Sequence, residues 1–290
     1  MRVKIKYIQV FLLCVLTICL YLYITRPSIA GFVNQKDAVI CCIAKFEQPY
    51  IDEWVRYYLK LGFSRVYIYD NHDEPTIEES FRDVDYKDKI SVIHYPGSIK
   101  QIPAYNDFIK NYAPKHTWVG FIDCDEFISL VKPEPIVDLL SRLCPEGSLA
   151  LSWRLFGDSG HREYTDEPVL ERFTLCEELP NTHVKCIHLC KDLDTVVNPH
   201  YAQLKGGKRQ RDTLGNLIET GPFNSKPTLE IAYINHYLIK SFGEFVAKRN
   251  RGRSDISEIR DMSDFNKHNK NEVEDTRARD FMRGPLNFST

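Results

Sequence analysis

The chain has 290 residues, 43% hydrophobic and 27% charged, which allows a sizeable core and excludes a disordered polyelectrolyte. Its formal net charge of −2 provides no global basic field, so no nucleic-acid partner is expected. The 12% aromatic content suits ligands with flat faces as well as ordinary packing.

The N-terminus carries the first organising signal. Tyr7 to Thr25 holds no charged residue, with Arg2, Lys4 and Lys6 before it and Arg26-Pro27 after it. That length spans a bilayer, and the excess of positive charge on the N-terminal side keeps that side cytoplasmic. The expected layout is a cytoplasmic tail (1–6), a signal anchor (7–25), a short stem (26–36), and a lumenal body of Golgi or ER type, as in a single-pass type II membrane protein. Ser28-Ile29-Ala30 supplies small residues for the competing arrangement, a cleaved signal peptide and a secreted body. Cys14 and Cys19 fall in the anchor. Of the other seven cysteines, Cys41, Cys42 and Cys124 sit in apolar runs, and Cys144, Cys176, Cys186 and Cys190 are available for disulfides in an oxidising lumen. The absence of any C-x-x-C pair argues against structural zinc. The sequon Asn287-Phe288-Ser289 lies close to the end of the sequence.

Ala38 to Ala44 is a continuous apolar run rich in β-branched residues and predicts a fully buried strand. Gln48-Pro49 opens a predicted helix to Leu61 with Ile51, Trp54, Val55, Tyr58 and Leu61 on one face, and Gly62 ends it. Strands are predicted over Arg65 to Tyr69, Ile90 to Tyr95 and Trp118 to Ile122, with a short helix at Ile77 to Phe81 and another at Ile102 to Tyr112. Strand and helix alternate, so the predicted class is α/β with a Rossmann-like, mostly parallel sheet flanked by helices. Ligands collect at the carboxyl ends of such strands. Polar clusters fall at those ends: Lys45-Phe46-Glu47, Asp70-Asn71 and Asp123-Cys124-Asp125. No G-x-G-x-x-G follows the first strand, which excludes the usual dinucleotide fingerprint.

Beyond Pro133 the pattern is mixed. A helix is predicted over Ile136 to Leu143, and strands over Ser148 to Leu155, Val184 to Leu189 and Leu229 to Asn235. Lys205 to Arg211 reads as a basic surface loop, and a helix is expected from Ser241 to Arg249. The body is expected to end near residue 253, before a polar tail (254–290) of helical pieces or disordered chain.

Asp123 and Asp125 carry the clearest chemistry. Read as the end of a strand, alternation turns both to one side and Cys124 to the other, so a hard cation such as Mn²⁺ or Mg²⁺ would relieve their repulsion. Glu126 then points away and braces the loop. An acidic turn is the plain alternative. Asp70 is placed to accept from a ribose or a base edge, and equally to initiate a turn. His236, at the end of an apolar strand, is a candidate further ligand or a hydrogen-bonded core residue. Lys240 and the arginines at 249, 251 and 253 are candidate diphosphate contacts.

The succession Ala44-Lys45-Phe46-Glu47, Glu53-Trp54, Tyr69-Asp70-Asn71, Asp123-Cys124-Asp125-Glu126-Phe127, Trp153-Arg154-Leu155-Phe156-Gly157 with Ser159-Gly160-His161, Asn235-His236-Tyr237 and Lys248-Arg249-Asn250-Arg251-Gly252 resembles glycosyltransferase family 92 and its family-2-like relatives. The likeness runs in order through most of residues 38 to 253. It departs at Lys45-Phe46, where that family often has arginine and asparagine. The resemblance implies a GT-A fold over residues 37–253, a nucleotide-sugar donor, Mn²⁺ as the usual ion, and type II topology. It places the metal on Asp123 and Asp125 with His236 as a further ligand. Lys45, Glu47, Asp70, Asn71, Asp123, Lys240 and Arg251 fall on the donor side, and the transferred sugar lies near Trp153 to His161. The expected reaction is inverting transfer from a UDP-sugar to a glycan or glycoconjugate acceptor. Asp158 is the candidate base, and equally a turn residue capping its own loop, with His161 and Glu171 behind it. A D-x-D phosphotransferase would need Thr or Gly-Thr after its nucleophile, where Glu126-Phe127 stand here. A membrane-tethered carbohydrate-binding protein without catalysis is the other alternative.

Overall fold

A computed structural model describes residues 36–250 and 261–285. The expected anchor and stem, Arg251, Arg253 and the Asn287 sequon lie outside the described residues. Among those described, no helix is long and apolar enough to cross a membrane.

Strand β1 (Ala38–Ala44) is buried along its whole length. Its alternation divides the core: Ala38, Ile40, Cys42 and Ala44 pack on one side of the sheet, and Val39, Cys41 and Ile43 on the other. Helix α1 (Gln48–Leu61) begins with Pro49 in its first turn and stops at Gly62, whose φ of 101° is the left-handed conformation that glycine adopts freely. Strands β2 (Arg65–Asp70) and β3 (Ile90–His94) follow, then helix α2 (Gln101–Asn111) and strand β4 (Trp118–Phe121). β1 pairs in parallel with both β2 and β4, and β2 with β3. The order β3-β2-β1-β4 reverses direction between β1 and β4, and such a switch point opens a crevice at the strands' carboxyl ends.

The chain does not leave the sheet after the acidic triplet, as the sequence reading expects. It turns tightly, with Glu126 N–H donating to Asp123 O at 3.0 Å, and enters strand β5 (Glu126–Leu130). Asp123 and Asp125 therefore lie in a turn, and strand alternation is not what orients them. Helix α1 holds the start of β5. Trp54 Nε1 and Tyr58 Oη both donate to Glu126 O at 3.0 Å, Tyr57 Oη donates to Ile128 O at 2.6 Å, and Tyr58 Oη accepts from Ile128 N.

Helix α3 (Ile136–Leu143) and strand β6 (Ser148–Leu155) match their predicted bounds. A short helix α4 (Val169–Arg172) and strand β7 (Leu175–Cys176) precede β8 (Val184–Leu189), which is antiparallel to both β4 and β6. After the β9 (Leu193–Asn198) and β10 (Tyr201–Leu204) hairpin, the expected basic loop instead contributes β11 (Gln210–Arg211), parallel to β6, with β12 (Leu217–Ile218) beyond it. Strand β13 (Ala232–His236) joins β5 antiparallel and β6 parallel, and α5 (Phe242–Asn250) follows. The fold class is as expected: α/β, a parallel half flanked by helices and a mixed half beside it.

The segment 261–285, beyond the boundary expected near residue 253, is folded. Helix α6 (Ser263–His268), strand β14 (Val273–Glu274) and helix α7 (Arg277–Arg283) pack onto the body, and β14 pairs with β7. The join is mixed: Phe265 packs on Ile239 and Phe245, and Ala278, Phe281 and Met282 pack on the main core, alongside polar bonds. Asp275 accepts from Arg154 Nη1 (2.8 Å), Tyr233 Oη (2.5 Å) and Arg277 Nη1 (3.0 Å). Gly157 is needed there, because a Cβ would lie 2.3 Å from Asn271 Oδ1 and 2.4 Å from Lys270 O. The seven cysteines among the described residues are free, buried thiols, including the four available for disulfides.

One buried ion pair fixes α5. Arg172 donates to both oxygens of Glu244 (2.8 and 3.0 Å), and Ser241 Oγ and Tyr50 Oη add bonds of 2.5 and 2.9 Å. Burial alone would raise the Glu244 carboxyl, but the Arg172 and Ser241 bonds bring it down to about 2, from 4.5. The pair therefore contributes fully above about pH 4.5 and is lost as pH falls through about 2. Glu244→Gln is expected to cost on the order of 3 kcal/mol at pH 7. In urea unfolding the gap from wild type should narrow as pH drops below 4.5; a gap that stays constant to pH 3 contradicts this account.

Candidate active site

A cleft of about 810 Å³ opens at the carboxyl ends of β1, β2 and β4. Lys45 and Glu47 reach it from β1, Asn71 from β2, Asp123 and Asp125 from the turn, and His236 from β13. Six of the residues singled out from the sequence thus converge.

The acidic turn is organised by a buried lysine. Lys185 on β8 lies 2.8 Å from Asp123 Oδ2 and 3.5 Å from Glu126 Oε2, with its side chain 1% exposed. Asp123 Oδ1 accepts from Gln101 Nε2 (2.8 Å) and Tyr105 Oη (3.2 Å). Glu126 Oε2 accepts Asp123 N–H at 3.0 Å, so Glu126 braces the turn from within, as its sequence position suggested. Burial pushes the Glu126 carboxyl well above the usual range despite the Lys185 charge, with Asp123 and Asp125 adding to the rise. Lys185 itself is raised: burial opposes its charge, but Asp123 and Glu126 outweigh that.

Asp125 is paired separately. Lys248 on α5 donates to its Oδ2, and His236 Nε2 stands 3.7 Å from its Oδ1. Burial would raise this carboxyl, yet Lys248 and His236 hold it well below the usual range. Its backbone is fixed too, since Tyr237 N–H donates to Asp125 O at 2.8 Å. His236 Nδ1 is buried without a hydrogen-bond partner. Trp153 packs on the His236 ring at 4.2 Å between centroids, stacks on His183 at 4.9 Å, and meets His200 at 5.0 Å. Burial keeps His183 and His200 neutral, the latter down to about 4, so this wall presents flat uncharged rings.

Other residues singled out from the sequence are placed elsewhere. Asp70 lies beneath the cleft and is fully buried. Its Oδ2 accepts from Thr76 N (2.8 Å) and Ile77 N (2.9 Å), and its Oδ1 from His72 N and Nδ1. Burial would raise its carboxyl, but these bonds hold it below its ordinary value. His72 Nε2 in turn accepts Phe46 N–H at 2.9 Å, so Asp70 shapes the loop that carries Lys45 and Glu47 instead of reaching a ligand. Asn71 lines the cleft while its Nδ2 ties down Tyr95 O and Gly97 O, both at 2.9 Å. Lys240 is buried with its Nζ 4.3 Å from the Tyr50 ring centre and is not among the lining residues. Asp158 and His161 are also absent from the lining. Asp158 Oδ1 accepts from Gly160 N (3.0 Å) and Asn271 Nδ2 (3.1 Å), the turn-capping alternative. His161 leans edge-on against Phe173, and Glu171 pairs with Arg283.

Sequence reasoning passed over Gln101, Glu177, Asn181, Lys185, His183 and His200. A lysine inside the apolar strand Val184–Leu189 was the one local signal available. It also passed over the rim from the C-terminal segment, Asp264, Lys267, His268 and Lys270.

A family model for glycosyltransferase family 92 matches residues 37–276, and the chain belongs to that family. Family 92 glycosyltransferase proteins of Ricinus communis (28% identical over 190 residues, 63% of this chain and 34% of the relative), Oryza sativa subsp. japonica (26% over 178, 59% and 30%) and Arabidopsis thaliana (23% over 225, 73% and 37%) are among its relatives. The chain thus spans about a third of the length of these relatives. Among solved structures, the crystal structure of S. aureus TarS 1-349 resembles 53% of this chain and 47% of its own, at 16% identity and a TM-score of 0.34.

Removing Lys185 leaves buried Glu126 and half-buried Asp123 without their countercharge. Lys185→Met should destabilise the fold by roughly 3–5 kcal/mol, measured by chemical denaturation. Glu126→Gln in the same chain should recover part of that loss through a coupling energy of the double-mutant cycle. Additive losses would show that Lys185 does not balance Glu126.

Proposed function

We propose that the chain transfers a sugar from a nucleoside diphosphate sugar, a UDP-sugar, to a hydroxyl of a glycan or glycoconjugate, with inversion at the anomeric carbon and with help from a divalent ion. The observation that carries this reading is the switch-point cleft with Asp123 and Asp125 in its floor, in a chain of glycosyltransferase family 92.

The donor set was tested against an ion. Among the described residues no three His, Cys, Asp or Glu side chains are grouped to hold a metal by themselves. Asp123 and Asp125 are each ion-paired to a lysine. Such a set suits Mn²⁺ or Mg²⁺ only as an ion shared with the substrate, since these ions are often held by one or two carboxylates plus phosphate oxygens. Asp125 and His236, whose Nε2 stands 3.7 Å from Asp125 Oδ1, are the residues that would hold it, with Asp123 beside them. When bound, the ion would offset charge developing on the departing diphosphate.

The chain's own residues have separable tasks. Gln101, Tyr105 and Lys185 fix the Asp123 carboxylate, so the turn needs little reorganisation when substrate arrives. Lys45, Lys248, Lys267 and Lys270 line the cleft and supply cationic groups for diphosphate oxygens. The Trp153, His183 and His200 wall offers flat faces to a sugar ring. The uncharged stretch Tyr7 to Thr25 supports a lumenal body on a type II anchor.

Binding is the cheapest test. UDP with Mn²⁺ at about a hundred times its dissociation constant should add about 2.7 kcal/mol to stability, read as a rise in Tm. Asp125→Asn should remove the Mn²⁺-dependent part of that rise and abolish turnover in a panel of nucleotide sugars. The Asp125→Asn/Lys248→Met pair controls for the stranded lysine charge. Full activity of Asp125→Asn at saturating metal rules the metal assignment out.

A further inference from the structure

An inverting transfer needs a group to take the acceptor's proton, and the sequence-based candidates Asp158 and His161 do not line the cleft. The acidic residues that do are Glu47, Asp123, Asp125, Glu177 and Asp264. Asp123 and Asp125 are committed to Lys185 and Lys248. Glu47 sits at the end of β1 with the donor-side residues, and Asp264 Oδ2 caps Asp261 N–H at 3.0 Å. Glu177 remains.

Its placement is rigid. Glu177 N–H donates to Leu155 O at 2.9 Å, Leu155 N–H donates back to Glu177 Oε1 at 2.7 Å, and Arg154 Nε holds Glu177 O at 3.0 Å. The residue is 9% exposed and shares the cleft wall with Trp153, Leu155, Asn181 and His183. Its place relative to the Asp125–His236 pair follows from the strand pairing. His236, beside Asp125, is paired with Leu155 on one edge of β6, and Glu177 bonds Leu155 N–H and O on the other edge. Both residues line the same cleft on either side of β6.

We propose that Glu177 is the general base of the transfer and that the sugar being moved sits between it and the Asp125–His236 pair. The acceptor oxygen bonds to the anomeric carbon as the bond from that carbon to the diphosphate oxygen breaks. The electron pair of the broken bond leaves with the diphosphate, and the acceptor's proton passes to the Glu177 carboxylate and then to solvent. Burial raises the Glu177 carboxyl above its ordinary value, against the Leu155 N–H and Asn181 bonds that lower it, a direction that favours proton capture near neutrality. Trp153, packed on His236 and His183, lines the same cleft.

This inference rests on the glycosyl-transfer reading, and the test separates the two. The probe is hydrolysis of whichever UDP-sugar the wild-type chain turns over, with water in place of the unidentified acceptor and UDP release as the readout. Glu177→Gln keeps the size of the side chain and an oxygen for Leu155 N–H. It is expected to lower kcat by about two to four orders of magnitude, with Tm, donor KM and the UDP–Mn²⁺ thermal shift within about twofold of wild type. Glu177→Asp, which keeps a shorter carboxylate, should recover part of kcat. Three results overturn the assignment: Glu177→Gln turning over within threefold of wild type, loss of the UDP–Mn²⁺ shift together with kcat, or Asp158→Asn losing kcat where Glu177→Gln does not. A wild-type chain with neither UDP binding nor turnover of any nucleotide sugar overturns the functional reading and this one with it.

Discussion

A lysine with its charge buried among carboxylates constrains everything around the cleft. Taking Lys185 out of water costs several kcal/mol unless its charge is met at close range. It is met by Asp123 at 2.8 Å and by Glu126 at 3.5 Å. That need ties the strand between β4 and β6 to the turn at the end of β4, and so ties the mixed half of the sheet to the parallel half. A longer or looser turn would leave buried Lys185 or buried Glu126 without its partner. The turn is therefore held by electrostatics from below, by the Trp54, Tyr57 and Tyr58 bonds from α1, and by Tyr237 N–H from the side.

The two aspartates of the turn are not equivalent. Asp123 is about a third exposed, and its carboxylate is saturated by Gln101, Tyr105 and Lys185, all pointing from the sheet and α2. Asp125 is buried, and its partners come from β13 and α5. Asp123 is thus held by α2 and β8, and Asp125 by β13 and α5. A ligand that contacts both carboxylates meets groups fixed by four different elements, which gives the cleft geometric selectivity. Helix α5 is in turn anchored through Glu244 to Arg172 and Tyr50, so Lys248 reaches Asp125 from a fixed base.

Much of the fold was legible in the sequence because it rests on short-range pattern. The runs Ala38 to Ala44, Ile136 to Leu143, Ser148 to Leu155 and Val184 to Leu189 carry their period and their breakers locally, and their bounds match the structure. β5 was missed because three carboxylates in four positions look like the end of a strand, whereas Glu126 is tolerated inside one by Lys185, sixty positions away in pattern terms and invisible to any local window. The 261–285 segment was missed for the opposite reason. Its polar anchors Asn269, Asn271 and Asp275 leave no periodic trace, and its apolar contacts, Phe265, Ala278, Phe281 and Met282, are split between short elements that show no long stripe. At the site, the convergence of Lys45, Glu47, Asn71, Asp123, Asp125 and His236 followed from knowing where strands end. The alternatives weighed for Asp70 and Asp158 turned on where their carboxylates point, which depends on backbone N–H groups at Thr76, Ile77 and Gly160 that only the folded chain brings near.

The cleft also bears on what this chain shares with relatives of which it spans about a third. Every lining residue, from Ile43 to Lys270, falls within residues 37–276, the span matched by the family model. The matched region includes the C-terminal rim of Asp264, Lys267, His268 and Lys270 as well as the sheet. It also includes the contacts that carry this rim: β14 pairing with β7, and Asn269 and Asn271 bound to the 157–160 loop. Both walls of the cleft and the devices that fix them thus lie inside the shared region.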